Sequence, residues 1–252
     1  KIAEEMGRQL GSKCMHNIWI PDGSKDVTVN RLQYRANLKE SLDKIFEYKT
    51  NDEYMKDCIE SKVFGIGLEN FTVGSHEFYM GYGIKNNIPI TLDSGHFHPT
   101  EIISDKISSL LLFSEEIMLH VTRSIRWDSD HVVILNEELV AIAQEIVRAD
   151  ALDRVHVGLD YFDASINRIG AYVVGVRATQ KALLQALLEP IAKLREFEAK
   201  GQYFERMALL EEAKSMPWGA IYNYYCAKKE VIVGDSYIAD IQQYEKDVTS
   251  KR

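Results

Sequence analysis

Side chains able to hold a divalent ion recur at the downstream ends of short apolar runs in this chain. Glu60 closes the run 55–60, Asp93 closes 88–93 with His96 three residues on, His120 stands near the end of 117–122, and Asp160 falls within 155–162. Asp128 and Asp130 follow the fourth of these runs, in Arg126-Trp127-Asp128-Ser129-Asp130-His131, where carboxylates two positions apart can point the same way. A single Asp after a strand is ordinarily a helix cap or a solvated loop residue. Four successive runs ending alike argue for a shared site. Oxygen and imidazole ligands without thiolate suit Mn²⁺, Mg²⁺, Co²⁺ or Zn²⁺ rather than a structural cysteine-based zinc. Glu60, Asp93, Asp128, Asp130 and Asp160 bring five negative charges, which two divalent ions and Lys62 would balance. A single ion would leave an excess of negative charge that raises carboxylate pKa values.

The elements that must position these residues alternate. Runs 17–21, 55–60, 88–93, 117–122 and 155–162 have the length and side-chain types of strands, and 30–48, 75–87, 100–114 and 136–148 between them have the period of helices. Such alternation predicts a parallel sheet of right-handed βαβ units. In parallel α/β folds, open or barrel, ligands bind at the C-terminal strand ends, where loops and side chains converge on one rim. Ser75 and Asn136 are suited to cap helices, and Pro99 suits a first helical turn. A helix spacing of Ile2, Met6 and Leu10 opens the chain. After residue 162 the segments 164–188, 191–199, 203–214, 218–228 and 236–248 read as helices divided by Pro190, Gly201, Pro217 and Gly234, with 231–233 as the one strand candidate. The boundary is expected near Pro190, giving 1–189 as the site-bearing α/β part and 190–252 as a helical extension.

At 46% hydrophobic and 27% charged residues, the 252-residue composition excludes disorder, collagen and a pure coiled coil. Lys and Arg total 30 against 38 Asp and Glu; the net charge of −8 has the wrong sign for nucleic acid or anionic membrane partners. Apolar stretches such as 107–113 fall short of the roughly 20 residues that span a bilayer, no signal segment opens the chain, and a cytoplasmic location is expected. Cys14, Cys58 and Cys226 lack paired spacing and read as reduced buried thiols. Gly65 and Gly67 do not extend to G-x-G-x-x-G, because position 70 is Asn70. His98 suits a supporting role beside the ligands, whereas His16, His76, His131 and His156 read as packing or surface residues. Trp19 reads as core or as an apolar pocket wall, with core favoured. Tyr224 and Tyr225 read as packing or a subunit contact.

Several strings are distinctive. Leu92-Asp93-Ser94-Gly95-His96-Phe97-His98-Pro99-Thr100-Glu101, the segment around Trp127, Gly158-Leu159-Asp160-Tyr161-Phe162-Asp163-Ala164-Ser165, Ile18-Trp19-Ile20-Pro21-Asp22-Gly23 and Glu60-Ser61-Lys62-Val63-Phe64-Gly65-Ile66-Gly67 closely resemble the L-rhamnose isomerase family, in order and over essentially the whole chain. The resemblance implies a (β/α)₈ TIM-type barrel with added helices, a homotetramer, and interconversion of the sugars L-rhamnose and L-rhamnulose in rhamnose catabolism. It implies two divalent ions, typically Mn²⁺, with Zn²⁺ or Co²⁺ as alternatives. Carried over residue by residue, Glu60, Asp93, His120 and Asp160 hold a structural ion, and His96, Asp128 and Asp130 the catalytic one. Lys62 lies near the reacting end of the sugar and Trp19 walls the substrate pocket, against the core reading above. Asp160 and Lys62 are the catalytic candidates, with a metal-assisted hydride shift favoured over an enediol route. Family chains are longer, so this chain is expected to be the C-terminal part, with about five of eight strands. Two other readings stand beside it: a binding or regulatory module on an enzyme-derived scaffold, and another metal-dependent barrel enzyme, a sugar isomerase or a nuclease, the latter disfavoured by the charge.

Overall fold

The computed structural model describes residues 1–24, 27–48, 52–61, 75–98, 100–125, 128–163 and 165–252. They form two compact units, residues 1–130 with 151–160, and residues 131–150 with 161–252.

Among its described residues the first unit holds one sheet of five parallel strands in chain order: β1 (Cys14–Ile18), β2 (Met55–Glu60), β3 (Ile90–Asp93), β4 (Ile117–Val121) and β5 (Val155–Leu159). Helices α1 (Ile2–Leu10), α2 (Arg31–Phe46), α3 (His76–Asn86) and α4 (Ser104–Leu111) belong to the same unit. Parallel neighbours require crossover connections, and sequential order with an intervening helix is the simplest way to supply them. This is an α/β fold consistent with part of a (β/α)₈ barrel. Leu38 and Leu42 of α2 and Tyr79 and Tyr82 of α3 are buried with Ile18 and Ile59 in one core cluster, each aliphatic side chain stabilising the fold by about 1.5–3 kcal/mol. Helix α3 starts where the Ser75 hydroxyl accepts from the Phe78 amide at 3.2 Å and ends at Asn87, whose φ of 54° suits a residue tolerant of the left-handed region.

The first strand differs from the expected 17–21. Pairing begins where the Cys14 amide donates to the Tyr54 carbonyl at 2.9 Å and runs from Cys14 opposite Met55 to Ile18 opposite Ile59. Pro21 has no N–H to donate to a ladder, and the Ile20 carbonyl accepts instead from the Tyr79 hydroxyl at 2.9 Å. Trp19 therefore follows the downstream end of β1. Helix α4 is shorter than the expected 100–114, and Pro99, expected in its first turn, lies outside the described residues, as do Gly65 and Gly67.

The second unit is helical among its described residues: α5 (Glu137–Arg148), α6 (Arg168–Leu187), α7 (Ile191–Ala199), α8 (Tyr203–Lys214), α9 (Trp218–Lys228), α10 (Tyr237–Asp247) and a short 3₁₀ turn, Thr249–Lys251. Asn136 caps α5 by accepting from the Leu139 amide at 3.0 Å. Leu139, Ile142, Ala143 and Ile146 are its buried face, and small residues of α6, Ala171, Gly175, Ala178, Ala182 and Ala186, are buried at intervals of three or four. Residues 231–233 form no strand; the Arg177 guanidinium donates to the Ile232 carbonyl at 3.0 Å and the Gly234 carbonyl at 2.9 Å. Pro190, the expected boundary, lies inside this unit, beside Glu189, which accepts from Arg148 at 2.6 and 2.7 Å. No helix among the described residues is long and apolar enough to cross a membrane.

Candidate metal centre

The ladder of the sheet sets ionisable residues side by side. Asp93 of β3 is paired with His120 of β4, His120 with Gly158 of β5, and Glu60 of β2 with Thr91 of β3. Because every second side chain of a strand shares a face, contacts on that face fall into three tiers. Lys56, Glu116 and His156 meet near the strand starts, Asn17, Cys58 and Thr91 meet in the middle, and Glu60, Asp93, His120 and Asp160 meet at the downstream ends.

Two groups of ligand atoms result among the described residues. One atom each from Glu60, Asp93, His120 and Asp160 lie within 4.8 Å of one another, and so do atoms of Asp93, His96 and Asp128. His120 Nδ1 is 3.4 Å from Glu60 Oε1, 3.6 Å from Asp93 Oδ2 and 3.1 Å from Asp160 Oδ2. His96 Nε2 is 3.3 Å from Asp128 Oδ2 and 3.7 Å from Asp93 Oδ2, so Asp93 Oδ2 faces both groups.

A family model described as L-rhamnose isomerase matches residues 1–252. The chain is 62% identical over 253 aligned residues to L-rhamnose isomerase of Bacteroides thetaiotaomicron, and 53% identical over 252 to those of Escherichia coli K12 and Citrobacter koseri, in each case covering all of this chain and 60% of the relative. The chain belongs to the L-rhamnose isomerase family. It spans about 60% of the length of these curated relatives.

The support around the two groups fits the metal chemistry that resemblance to L-rhamnose isomerase implies. Asp93 Oδ1 accepts from the Gly95 amide at 2.6 Å, which turns Oδ2 toward the imidazoles. His96 Nδ1 lies 2.8 Å from the Ser61 carbonyl; a proton donated there leaves the Nε2 lone pair for a ligand, the usual arrangement of a metal-binding histidine. A Cβ on Gly95 would stand 2.7 Å from Asp128 Oδ1 and 3.1 Å from Asp93 Oδ1, so this close approach requires glycine. A Cβ on Gly158 would stand 2.6 Å from Met118 Cε, beside His120. Glu60 Oε1, Asp93 Oδ2 and His120 Nδ1 are buried without a hydrogen bond of proper geometry. Such atoms are costly unless something else satisfies them, and an oxygen-and-nitrogen set suits a hard or borderline divalent cation.

Electrostatics agree. Burial raises the Glu60 carboxyl, but His120 and His96 outweigh it and hold the group well below the usual carboxylate range. Burial pushes Asp93 up to about 6 against the pull of both imidazoles. For His96, burial opposes protonation, yet Asp128 and Glu60 raise it to about 10; Asp160, Asp93 and Glu60 likewise raise His120 to about 12. The excess of carboxylates thus makes both imidazoles hold their protons, the nearest available positive charge.

The other candidates of the L-rhamnose isomerase resemblance divide. Asp130 is not in either close group; its backbone takes φ 46°, a left-handed conformation that Asp tolerates better than most residues. Lys62 lies outside the described residues. Trp19 is half-buried and packs against the core cluster of α2 and α3. His98 is exposed and engaged locally with Thr100 at 2.8 Å. His16 pairs with Asp57 at 2.7 Å and His156 with Glu116 at 2.6 Å, while His76 meets the Phe97 ring edge-on. The three cysteines are free. Sequence reading passed over Asn17, Gly95, Gly158 and the Ser61 carbonyl; only the glycines, each one residue from a ligand or its ladder partner, carried any signal.

Proposed function

We propose that this protein interconverts L-rhamnose and L-rhamnulose as an aldose–ketose isomerase of rhamnose catabolism, with a two-ion centre on the strand ends. The observation that carries the reading is the convergence of Glu60, Asp93, His120 and Asp160, and of Asp93, His96 and Asp128, at the ends of parallel strands in a chain that matches its family from residue 1 to 252. Glu60, Asp93, His120 and Asp160 would hold one ion; His96, Asp128 and Asp130 would hold the other, with Asp93 near enough to share. Mn²⁺ is the proposed ion, with Zn²⁺ or Co²⁺ as alternatives. The working form is a cytoplasmic homotetramer in which 1–189 contributes the barrel part and 190–252 the helical extension.

Bound divalent ions supply polarisation of the sugar's C1 carbonyl and C2 hydroxyl. The reaction moves the C2 hydrogen with its electron pair to C1, while the O2 proton ends on O1. Lys62 would stabilise negative charge gathering at O1, and Trp19 would present an apolar wall to the sugar. Asp160, with its side chain 52% exposed, can be reached by a substrate, whereas Glu60, 4% exposed, is enclosed by imidazoles. A carboxylate engaged with an ion is a poor base, which favours hydride transfer over an enediol route.

The test is ketose formation from L-rhamnose in Mn²⁺, with Asp128→Asn as control. Activity lost in the control by about 100-fold or more supports the reading, and equal activity in both contradicts it. Extensive exchange of the C2 hydrogen with solvent during turnover would exclude the hydride shift.

A further inference from the structure

The middle tier of the sheet has no part in the ligand set, yet one of its polar groups, the Asn17 amide, reaches up to it. Asn17 of β1 donates from Nδ2 to Glu60 Oε2. Its Oδ1 accepts from the Thr91 hydroxyl at 2.7 Å and from the Cys58 thiol at 3.5 Å. An ionised Glu60 carboxylate only accepts hydrogen bonds, so the amide must offer it Nδ2. Thr91 and Cys58, both on the sheet face that carries Glu60, then keep the opposite end of the amide from turning. Three neighbouring strands contribute: β1 the amide, β2 the thiol and the carboxylate, β3 the hydroxyl.

The choice of an amide has a physical reason. A buried carboxylate beneath two imidazoles needs a donor on its far oxygen, or it would swing toward whichever imidazole is nearer. Lysine or arginine would supply the donor together with a positive charge that repels a divalent cation a few ångströms above. Aspartate would offer no donor and would repel Glu60. Asparagine supplies a hydrogen bond at no charge, leaving Oε1 facing His96 Nδ1 at 3.1 Å and His120 Nδ1 at 3.4 Å.

We infer that Asn17, locked by Thr91 and Cys58, is a positioning residue that aims Glu60 Oε1 at the ion shared with Asp93, His120 and Asp160. The inference rests on the two-ion reading above. Supporting groups around metal ligands change metal affinity by about 10–100-fold when removed.

The experiment is calorimetric titration of the full chain with Mn²⁺ alone, alongside melting curves with and without chelator, for wild type, Asn17→Ala and Thr91→Val. Asn17→Ala should weaken the ion site that contains Glu60 by about 10–100-fold, while the chelated proteins melt close together. Thr91→Val, which keeps the shape of the side chain and removes only its hydroxyl, should weaken the same site by a smaller factor. The double variant should bind no more weakly than Asn17→Ala, because both act through one amide. If the variants bind Mn²⁺ as wild type does, or if both melt lower by the same amount with and without chelator, the positioning role is overturned while the metal centre stands. If wild type itself binds no Mn²⁺, the metal centre falls and this inference with it. Should Asn17→Ala fail to fold, unchanged Mn²⁺ affinity in Thr91→Val overturns the role by itself.

Discussion

The two ends of one sheet use the same kinds of side chain to opposite effect. Near the strand starts, Glu116 accepts from Lys56 at 2.6 Å with one oxygen and meets His156 at 2.6 Å with the other, so one carboxylate is matched to two partners. At the downstream ends Glu60, Asp93, Asp128 and Asp160 crowd two imidazoles, and Glu60 Oε1, Asp93 Oδ2 and His120 Nδ1 are buried without a proper hydrogen bond. The lower cluster matches each acid to a base; in the upper one the acids outnumber the imidazoles, so it favours further positive charge. This asymmetry matches the division of labour in parallel barrels, where the N-terminal face secures the fold and the C-terminal face does chemistry. Residue type alone thus says little; the ratio of acids to bases and the satisfaction of each atom tell the two clusters apart.

The largest effect expected from breaking the upper cluster is on metal binding. Glu60→Gln should lower Mn²⁺ affinity by more than about 100-fold, beyond what loss of a supporting group costs, as read by calorimetry. Next comes chelation of the wild type, which should lower its stability by about 2.7 kcal/mol relative to Mn²⁺ at 100 times its dissociation constant, seen as a fall in Tm. Gly95→Ala forces a methyl against Asp128 and Asp93 at 2.7 and 3.1 Å; it should cost about 1–3 kcal/mol and reduce the response to chelator, measured by denaturant melts. The smallest effect belongs to the lower cluster. Glu116→Gln should cost less than about 1 kcal/mol, since the pair is partly exposed, and should leave Mn²⁺ affinity unchanged.

The lower cluster also has a pH signature. Burial alone would raise Glu116, but Lys56 and His156 hold it below its ordinary 4.5. A depressed folded-state value means that its stabilisation is present above about 4.5 and lost as pH falls through the folded value. Urea melts of wild type and Glu116→Gln should differ most near neutrality and converge in acid. A gap that widened in acid would contradict the pairing.

The upper half of this contrast is legible in the sequence; the lower half is not. The ends of β2, β3 and β4 carry Glu60, Asp93 and His120 on short apolar runs bounded by polar residues, and both periodicity and position point to a rim. What was not legible depends on backbone geometry. The β1 ladder starts at Cys14, in a segment too polar to look like a strand, because its inner face carries Asn17 rather than an aliphatic residue. Asn17 itself reads only as the first residue of a strand run until Glu60, 43 positions away, is placed against it. A sequence also assigns each ligand to one ion, whereas the atom Asp93 Oδ2 faces both groups. Asp128 and Asp130 look equivalent on paper; Asp128 alone joins a close ligand group, and Asp130 takes a left-handed backbone.

The most direct test of the central claim is the number of Mn²⁺ ions bound per chain, read from the loss of the free-ion electron paramagnetic resonance signal, in wild type and in Asp93→Asn. Two ions bound by wild type, both weakened by the one substitution at the shared carboxylate, are the predicted result. No binding by wild type, or binding that Asp93→Asn leaves intact, would contradict it.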